Sequence, residues 1–296
     1  MAKQQDIKRA NNIRRQKNWS GTDSYDKLCI IATCIIFLAL GAEIANPTAY
    51  GKFGNTSSNG ISSIRLDARL GWFLMELPCS TWFLYQFYLV GGPQSHKPVP
   101  KFFGFLFTCH YSYRGYIFPF LISAHGEEKN FDLGVAFGSW VVTIMHAHLN
   151  ARWYAEYGTH LLGVGGSSSK ENTKGGRSWT STWCFRIGVT LYYLGLASVI
   201  YHDHIMRTLR PCPNDARYCI PHGGLFEYVT AGNYLSELVM WAGFASASWG
   251  PNGAFIFLIS AANLVPRSAS THQWYLNNFP GEYEVLERGR LLPGIW

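Results

Sequence analysis

Charged side chains are scarce in this chain, and their scarcity limits the classes of protein that it fits. Of the 296 residues, 15% are charged, 48% are hydrophobic and 16% are aromatic, whereas soluble domains carry about 25% charged residues. The mean hydropathy is only −0.02, because a polar amino-terminal arm, a Gly/Ser/Lys loop and a polar tail offset the apolar runs. The composition predicts a membrane protein with aromatic belts at the interfaces.

The motifs of several enzyme classes are also missing. The chain has no CxxC or other zinc spacing, no HxxHH box and no GxSxG elbow, and its loop 163–176 fits neither GxGxxG nor GxxxxGK[ST]. In His146-Ala-His148 and His202-Asp-His204 the imidazoles are two residues apart, on roughly opposite sides of a helix. The seven scattered cysteines are interpreted as free thiols. We therefore expect no metal site.

Long apolar runs dominate the rest of the chain. A helix of about 20 apolar residues crosses the hydrocarbon core of a bilayer. The first run resembles a signal peptide, but Glu43 closes it without a clear cleavage site, so we expect a retained span. The sequence predicts an all-α, seven-transmembrane-helix bundle over 28–266, between a basic arm (1–27) and a tail (267–296). The predicted spans are 28–45, 71–91, 102–124, 132–149, 183–201, 229–249 and 252–266.

The basic arm indicates the first partner of the protein. Six basic residues lie within the first 17, and the formal net charge of the chain is +7. No nucleic-acid recognition motif follows the arm, so we expect it to lie on anionic lipid headgroups rather than to bind nucleic acid.

Three of the predicted spans carry polar side chains at membrane depth. A carboxylate within a span costs roughly 2.5–3.5 kcal/mol on insertion scales, so such a residue pairs, takes up a proton or serves the function of the protein. Glu76 lies within 71–91, and Asn233 and Glu237 share one helical face within 229–249. His110, Tyr111 and Arg114 lie within 102–124. A structural ion pair explains any one of these residues, whereas three such spans together predict a buried site.

A further polar set lies at the ends of the predicted spans. Asp203, Arg207 and Arg210 follow the fifth span at i, i+4 and i+7, on one stripe of a helix. Such a stripe suits a ribose hydroxyl and phosphates, because arginine offers a planar fork of donors. A solvated salt bridge within the helix is the alternative. His272 and Tyr275, spaced i and i+3, follow the last span.

Five segments of the chain resemble the steroid 5α-reductase family, in family order. They are NPTAYGKFG (46–54), ARLGWFLMELP (68–78), HYSYR (110–114), IPHGGLFEYVTAGNYLSELVMWAGFA (220–245) and HQWYLNNF (272–279). The resemblance implies seven transmembrane helices that hold NADPH without a Rossmann fold. It also implies reduction of a carbon–carbon double bond conjugated to a ketone.

The resemblance also assigns roles to individual residues. Glu76 and Tyr111 match the pair that holds the C3 carbonyl of the substrate, and Trp72 matches an aromatic residue of the substrate pocket. Met75 stands where the animal enzymes carry Gln, which bears on the choice of steroid. Three further departures, Val199, Cys219 and Thr271, bear on cofactor binding. The positions that match NADPH contacts of the family are Tyr50, Arg114, Asp203, Arg210, Tyr218, Asn233, Glu237 and Tyr275. Arg207 and His272 join the residues predicted to bind NADPH because of their spacing from Asp203 and Tyr275.

The predicted chemistry is hydride transfer to C5 of a 3-oxo-Δ4 steroid, followed by protonation at C4. Tyr111 donates its hydroxyl to the carbonyl oxygen, and Glu76 donates only when protonated, a form that burial among apolar side chains favours. Two alternatives stay open: a related reductase of a polyprenol or a trans-2-enoyl-CoA, and a seven-helix receptor or transporter. Since NADPH is cytosolic, we expect an endoplasmic reticulum protein, or an inner-membrane protein in a bacterium, with a cytosolic carboxyl terminus.

Overall fold

The protein is mostly helical in the part of the chain that the computed structural model describes. The described residues are 24–45, 48, 64–122, 131–162, 178–209 and 218–296. Tyr50 and Arg210, two of the predicted cofactor contacts, lie outside them, as does most of the predicted basic arm. The helices are α1 (Ser24–Ala45), α2 (Ala68–Leu84), α3 (Pro98–Tyr111), α4 (Leu133–Arg152), α5 (Trp183–Thr208), α6 (Gly232–Ser248) and α7 (Pro251–Asn278).

Three of the helices continue in the wider π form. Helix α2 continues through Tyr85–Val90, α3 through Ser112–Ile117 and a short helical turn Phe118–Leu121, and α4 through Trp153–Tyr157. Each of the seven predicted spans therefore overlaps one long helix. Helix α7 runs 12 residues beyond the predicted end at 266, to Asn278, so His272 and Tyr275 lie on a helix rather than in an irregular tail.

The helix starts follow ordinary capping chemistry. The side chain of Asp67 accepts a hydrogen bond from the backbone N–H of Arg69 at the start of α2, and Asp132 accepts one from Gly134 at the start of α4. Thr182 caps α5 in the same way, through the N–H of Phe185. Each cap satisfies a backbone donor that has no partner within its helix.

The helices pack with α5 against α6, α2 against α4, α1 against α7 and α6 against α7. Glycines bring α5 and α6 into close contact. A Cβ atom added at Gly195 would lie 2.5 Å from the backbone nitrogen of Met240, and one at Gly243 would lie 2.5 Å from that of Tyr192. Glycines at such crossings let helix backbones approach closely.

A buried ion pair joins α1 to α7. Arg267 Nη1 lies 3.2 Å from Glu43 Oε1 and donates to the backbone oxygen of Thr48 at 3.0 Å. The second carboxylate oxygen of Glu43 accepts from the backbone N–H and the hydroxyl of Thr48. Both charged side chains are 3% exposed, so each charge is compensated by the other and by hydrogen bonds.

Two features add to the helical bundle. Residues Arg65–Leu66 and Phe131–Asp132 form a two-stranded antiparallel sheet, a small departure from the all-α prediction. By length and composition, α1 and α5 qualify as membrane-crossing helices. Helix α1 leaves large apolar side chains exposed, among them Phe37 at 69% and Leu38 at 72%.

Candidate active site

Glu76 and Tyr111 lie in one buried cluster between α2 and α3. Glu76 is 8% exposed, and Gly115 packs against it so closely that an added Cβ would lie 3.3 Å from that of Glu76. Cys79, one turn after Glu76, is fully buried and lies within electrostatic range of both Glu76 and Tyr111. Cys79 is therefore a third member of this cluster, beside the two predicted substrate contacts.

The ring of Tyr111 is enclosed by other rings. Its centroid lies 4.6 Å from that of Phe107, 4.9 Å from that of His110 and 5.7 Å from that of His146 on α4. Tyr111 ends α3 at the change to π-helix, and π turns of this kind are frequent at functional sites. Only 5% of Tyr111 is exposed, so its hydroxyl lies in a dry environment.

Arg114, within the π-helical segment, links two carboxylates. Its Nε lies 4.0 Å from Glu76 Oε1, and its Nη1 lies 4.0 Å from Asp203 Oδ2 on α5. The guanidinium carbon lies over the ring of Trp72 at 5.0 Å. Tyr113 donates its hydroxyl to the same oxygen of Asp203 at 3.4 Å. Arginine suits this position because a planar guanidinium both stacks and pairs.

Helix α6 brings a third carboxylate to this cluster. Glu237 lies within electrostatic range of Glu76, Tyr111 and Asp203. Asn233, one turn earlier on the same face, is half-buried. Side chains from α2, α3, α5 and α6 therefore converge at one place.

A second cluster forms around the end of α7. The ring of Tyr275 stacks on that of Tyr283 at 5.1 Å, and Tyr218 lies edge-on to Trp274 at 4.9 Å. The hydroxyl of Thr230 bonds both His272 Nδ1, at 2.6 Å, and the hydroxyl of Tyr283.

The charge environment of this cluster is set by burial. Burial, and then the positive charge of Arg290, lowers the pKa of His272. Burial also raises the pKa of the Tyr283 hydroxyl. Both side chains are therefore neutral hydrogen-bonding groups near pH 7.

Arg288, which the sequence did not single out, fixes the carboxyl-terminal segment to this cluster. Its side chain is 1% exposed, and it donates to the backbone oxygen of Pro221 at 2.7 Å. It also lies 3.9 Å from Glu227, which accepts from the N–H of Gly223. That N–H, followed by His222 and Arg288, holds the pKa of Glu227 below its ordinary value.

The predicted site residues thus fall into two groups and some exceptions. Met75 on α2 is half-buried, and Arg207 bonds the imidazole of its neighbour His204 at 2.7 Å. Tyr50 and Arg210 lie outside the described residues. The first group comprises Trp72, Glu76, Tyr111, Arg114, Asp203, Asn233 and Glu237, and the second Tyr218, His272 and Tyr275.

Comparison with known proteins identifies the family. The family model described as 3-oxo-5-alpha-steroid 4-dehydrogenase matches residues 130–296. The chain belongs to this family. It is 32% identical over 257 residues to 3-oxo-5-alpha-steroid 4-dehydrogenase 1 of Mus musculus, an alignment that covers 86% of this chain and 93% of the mouse protein. The steroid reductase resemblance of the five sequence segments is confirmed, and the protein is an oxidoreductase.

Other members of the 3-oxo-5-alpha-steroid 4-dehydrogenase family also align over most of the chain. The chain is 32% identical to 3-oxo-5-alpha-steroid 4-dehydrogenase 2 of Sus scrofa, over 90% of this chain and 94% of the pig protein. It is 28% identical to steroid 5-alpha-reductase DET2 of Solanum lycopersicum, over 79% and 82% of the two chains. These animal and plant family members are thus similar to 79–90% of the length of this chain.

Proposed function

We propose that this protein reduces the Δ4 double bond of a 3-oxo-Δ4 steroid, with NADPH, to a 5α-3-oxosteroid. The observation that carries the proposal is the buried cluster in which Glu76, Cys79 and Tyr111 meet beside Arg114. The names of the family relatives support a steroid as substrate. The family match therefore supports the reaction class, and the cluster supports the residues.

Glu76 and Tyr111 act on the C3 carbonyl oxygen. The β-carbon of an enone accepts hydride only as negative charge develops on that oxygen, and two hydrogen-bond donors in a dry site stabilise this charge. Tyr111 supplies its hydroxyl, and protonated Glu76 supplies the second donor. The bond between C4 and C5 becomes single when C5 gains hydride and C4 gains a proton. Trp72 and Met75 line the pocket around the A ring.

NADPH, when bound, supplies the hydride. Two buried polar atoms near the second cluster, Thr271 Oγ1 and Arg288 Nε, have no hydrogen-bond partner among the described residues. Such atoms fit a polar ligand bound near the end of α7. Arg114 would balance the charge of such a ligand beside Asp203, and Arg207 and Arg210 would contact its phosphates. The remaining contacts would come from Tyr50, Tyr218, Asn233, Glu237, His272 and Tyr275.

The seven long helices form the spans of a membrane domain over 28–266, after an arm that contacts lipid. We place the cofactor face toward the cytosol, with the carboxyl terminus on the same side and the protein in the endoplasmic reticulum. The apolar, exposed surface of α1 supports a lipid environment.

The test incubates membranes containing the protein with NADPH and a panel of steroids. A 3-oxo-Δ4 steroid gives the 5α-reduced ketone, and deuterium at the transferable position of NADPH appears at C5. The saturated ketone serves as the control substrate and gives no NADPH oxidation. Reduction of a polyprenol or a trans-2-enoyl-CoA with steroids untouched would contradict the assignment. So would steroid binding without turnover, which indicates a receptor or transporter.

A further inference from the structure

A buried chain of polar side chains runs from the Tyr111 cluster toward the opposite end of the bundle. Asn252 Nδ2 lies 2.9 Å from the hydroxyl of Tyr154 and 2.9 Å from Asn150 Oδ1. Asn150 Nδ2 lies 2.9 Å from both Nδ1 and the backbone oxygen of His146. All four residues are at most 1% exposed, so their hydrogen bonds form without competition from water.

The geometry fixes which way the amides face. A backbone carbonyl only accepts hydrogen bonds, so the atom of Asn150 beside the backbone oxygen of His146 is its NH2 group. The Oδ1 atom of Asn150 then faces Asn252, which must present its own NH2 group. Rotating either amide by 180° would bring two donors or two acceptors into contact.

This arrangement also fixes the tautomer of His146. Because Asn150 donates to Nδ1, the neutral imidazole carries its proton on Nε2. The Nε2 atom is buried and has no hydrogen-bond partner in the described part of the chain, and the same holds for Nδ1 of His110.

The two imidazoles surround the ring of Tyr111 from different helices. The His146 ring lies 5.0 Å from Phe107 and 5.7 Å from both Tyr111 and Trp241. The His110 ring lies 4.9 Å from Tyr111 and 4.7 Å from Trp241. A buried donor without an acceptor destabilises the folded state, and phenylalanine would fill this aromatic site without that loss. The imidazole must therefore do something that packing alone does not require.

We propose that His146, held as its Nε2–H tautomer by Asn150 and Asn252, is a positioning residue for Tyr111. The fixed ring sets the plane of the Tyr111 ring, and its unpaired N–H keeps the wall behind Tyr111 polar, so that the phenol hydroxyl stays directed at the substrate carbonyl. This inference rests on the proposed function, because Tyr111 is taken as the donor to that carbonyl.

The experiment compares His146→Phe, Asn150→Asp and a control, Thr143→Val. His146→Phe keeps an aromatic ring and leaves the bond from Asn150 to the backbone oxygen of residue 146 intact. Asn150→Asp cannot donate to Nδ1, so it moves the imidazole proton away from Nε2. Thr143 lies one turn earlier on α4, and among the described residues its hydroxyl bonds only to the carbonyl of Trp140 in its own helix.

We expect both test variants to lower kcat about ten- to a hundredfold, as small displacements of catalytic groups do. The KM for steroid and the Kd for NADPH stay within about twofold of wild type, and Thr143→Val matches wild type. In a Tyr111→Phe background, His146→Phe should lower kcat no further, because the effects of residues that act through one group are not additive.

A wild-type kcat in His146→Phe would overturn the inference. An equal fold-decrease in kcat when His146→Phe is added to Tyr111→Phe would also overturn it, because that result indicates a general structural role. A wild-type protein that reduces no enone steroid would instead refute the proposed function, and the inference would fall with it.

Discussion

At the scale of single residues, the guanidinium of Arg114 connects the two halves of the candidate site. It lies 4.0 Å from a carboxylate on α2 and 4.0 Å from one on α5, with the face of Trp72 against it. Lysine would keep the charge at this position but neither the stacking nor the two-sided pairing. One planar group therefore contacts both Glu76, the proposed substrate contact on α2, and Asp203, the proposed cofactor contact on α5.

Glu76→Ala and Tyr111→Phe should each lower turnover by about 10²–10³, the usual effect of deleting one donor to a developing oxyanion. The Kd for NADPH should change little, since both side chains address the steroid carbonyl. The measurement is kcat for NADPH-dependent reduction beside NADPH binding to the same preparations. Because both act on one oxygen, the double variant should lose much less than the product of the single losses. A turnover near wild type in Glu76→Ala would contradict the proposed role and indicate that Glu76 is a purely structural residue.

The sequence singled out residues of both clusters, but it did not single out Cys79 in the first or Arg288 in the second. Glu76, Tyr111 and Arg114 were recognisable because a polar side chain in an apolar run is costly and therefore conspicuous. Arg288 was not, because a charged residue in a polar tail is ordinary until the fold buries it. Cys79 was missed for the opposite reason, since a thiol in an apolar run is interpreted as a small hydrophobic side chain.

At the scale of elements, the contact between α5 and α6 determines how Asp203 meets Glu237. Gly195 and Gly243 allow the two backbones to approach, and at each of them the two atoms nearest to an added Cβ are backbone atoms. The backbone cannot move aside as a flexible side chain can. The α5–α6 crossing therefore cannot accommodate a larger side chain at either glycine without strain.

Gly195→Ala should destabilise the protein by about 1–3 kcal/mol, the usual cost of overpacking. Gly138→Ala is the matched control, since no atom of the described residues lies within 4 Å of its added Cβ, and alanine favours a helix. Thermal unfolding in detergent measures both. Equal midpoints for the two variants would argue against a tight α5–α6 crossing.

Helix α7 shows why element boundaries were harder to predict than the elements themselves. The sequence predicted a short last span over 252–266, yet the helix continues through Pro266 to Asn278. A proline inside a helix removes one hydrogen bond and normally disfavours it. Here the buried contacts of Tyr275 with Tyr283 stabilise the continuation, and those contacts are invisible to local sequence.

The Gly223–Glu227 turn should make stability depend on pH. The pKa of Glu227 is lowered in the folded protein, so its stabilising contribution is present above the unfolded-state pKa and is lost as pH falls through the folded-state value. The thermal midpoint of Glu227→Gln should lie below that of wild type at pH 7. The gap should close as the buffer is made more acidic than the ordinary glutamate pKa of about 4.3. A gap that is independent of pH would exclude the charge as its origin.

At the scale of the whole molecule, the pair Glu43–Arg267 joins the first described helix to the last. Removing one partner of a buried pair leaves an uncompensated charge, so Glu43→Ala and Arg267→Met should each destabilise the protein by about 3–5 kcal/mol. The double variant should lose less unfolding free energy than the sum of the two single losses. Thermal unfolding measures all three. Arg186→Ala, at an exposed position of α5, serves as the control. Additive losses would mean that the two side chains act independently.

Two glycosylation sequons test the proposed orientation of the whole bundle. Asn18-Trp-Ser precedes the first helix and Asn55-Thr-Ser follows it, so only one of them can face the lumen if that helix spans. With a cytosolic cofactor face, Asn55 should carry no glycan when the protein is made in a eukaryotic host. A shift in electrophoretic mobility that an endoglycosidase reverses, and that Asn55→Gln abolishes, would contradict this orientation and place Asn55 in the lumen.

The tie between α1 and α7 also constrains how the protein is made. Arg267 follows Glu43 by 224 residues, which a ribosome takes roughly 11–45 seconds to add at about 5–20 residues per second. During that interval the carboxyl group of the first helix has been synthesised and its counter-charge has not. Every nascent chain thus passes through a stage in which the carboxyl group of Glu43 on α1 has been made and Arg267 on α7 has not. A chain that stops short of α7 keeps the carboxyl group of Glu43 without the guanidinium of Arg267.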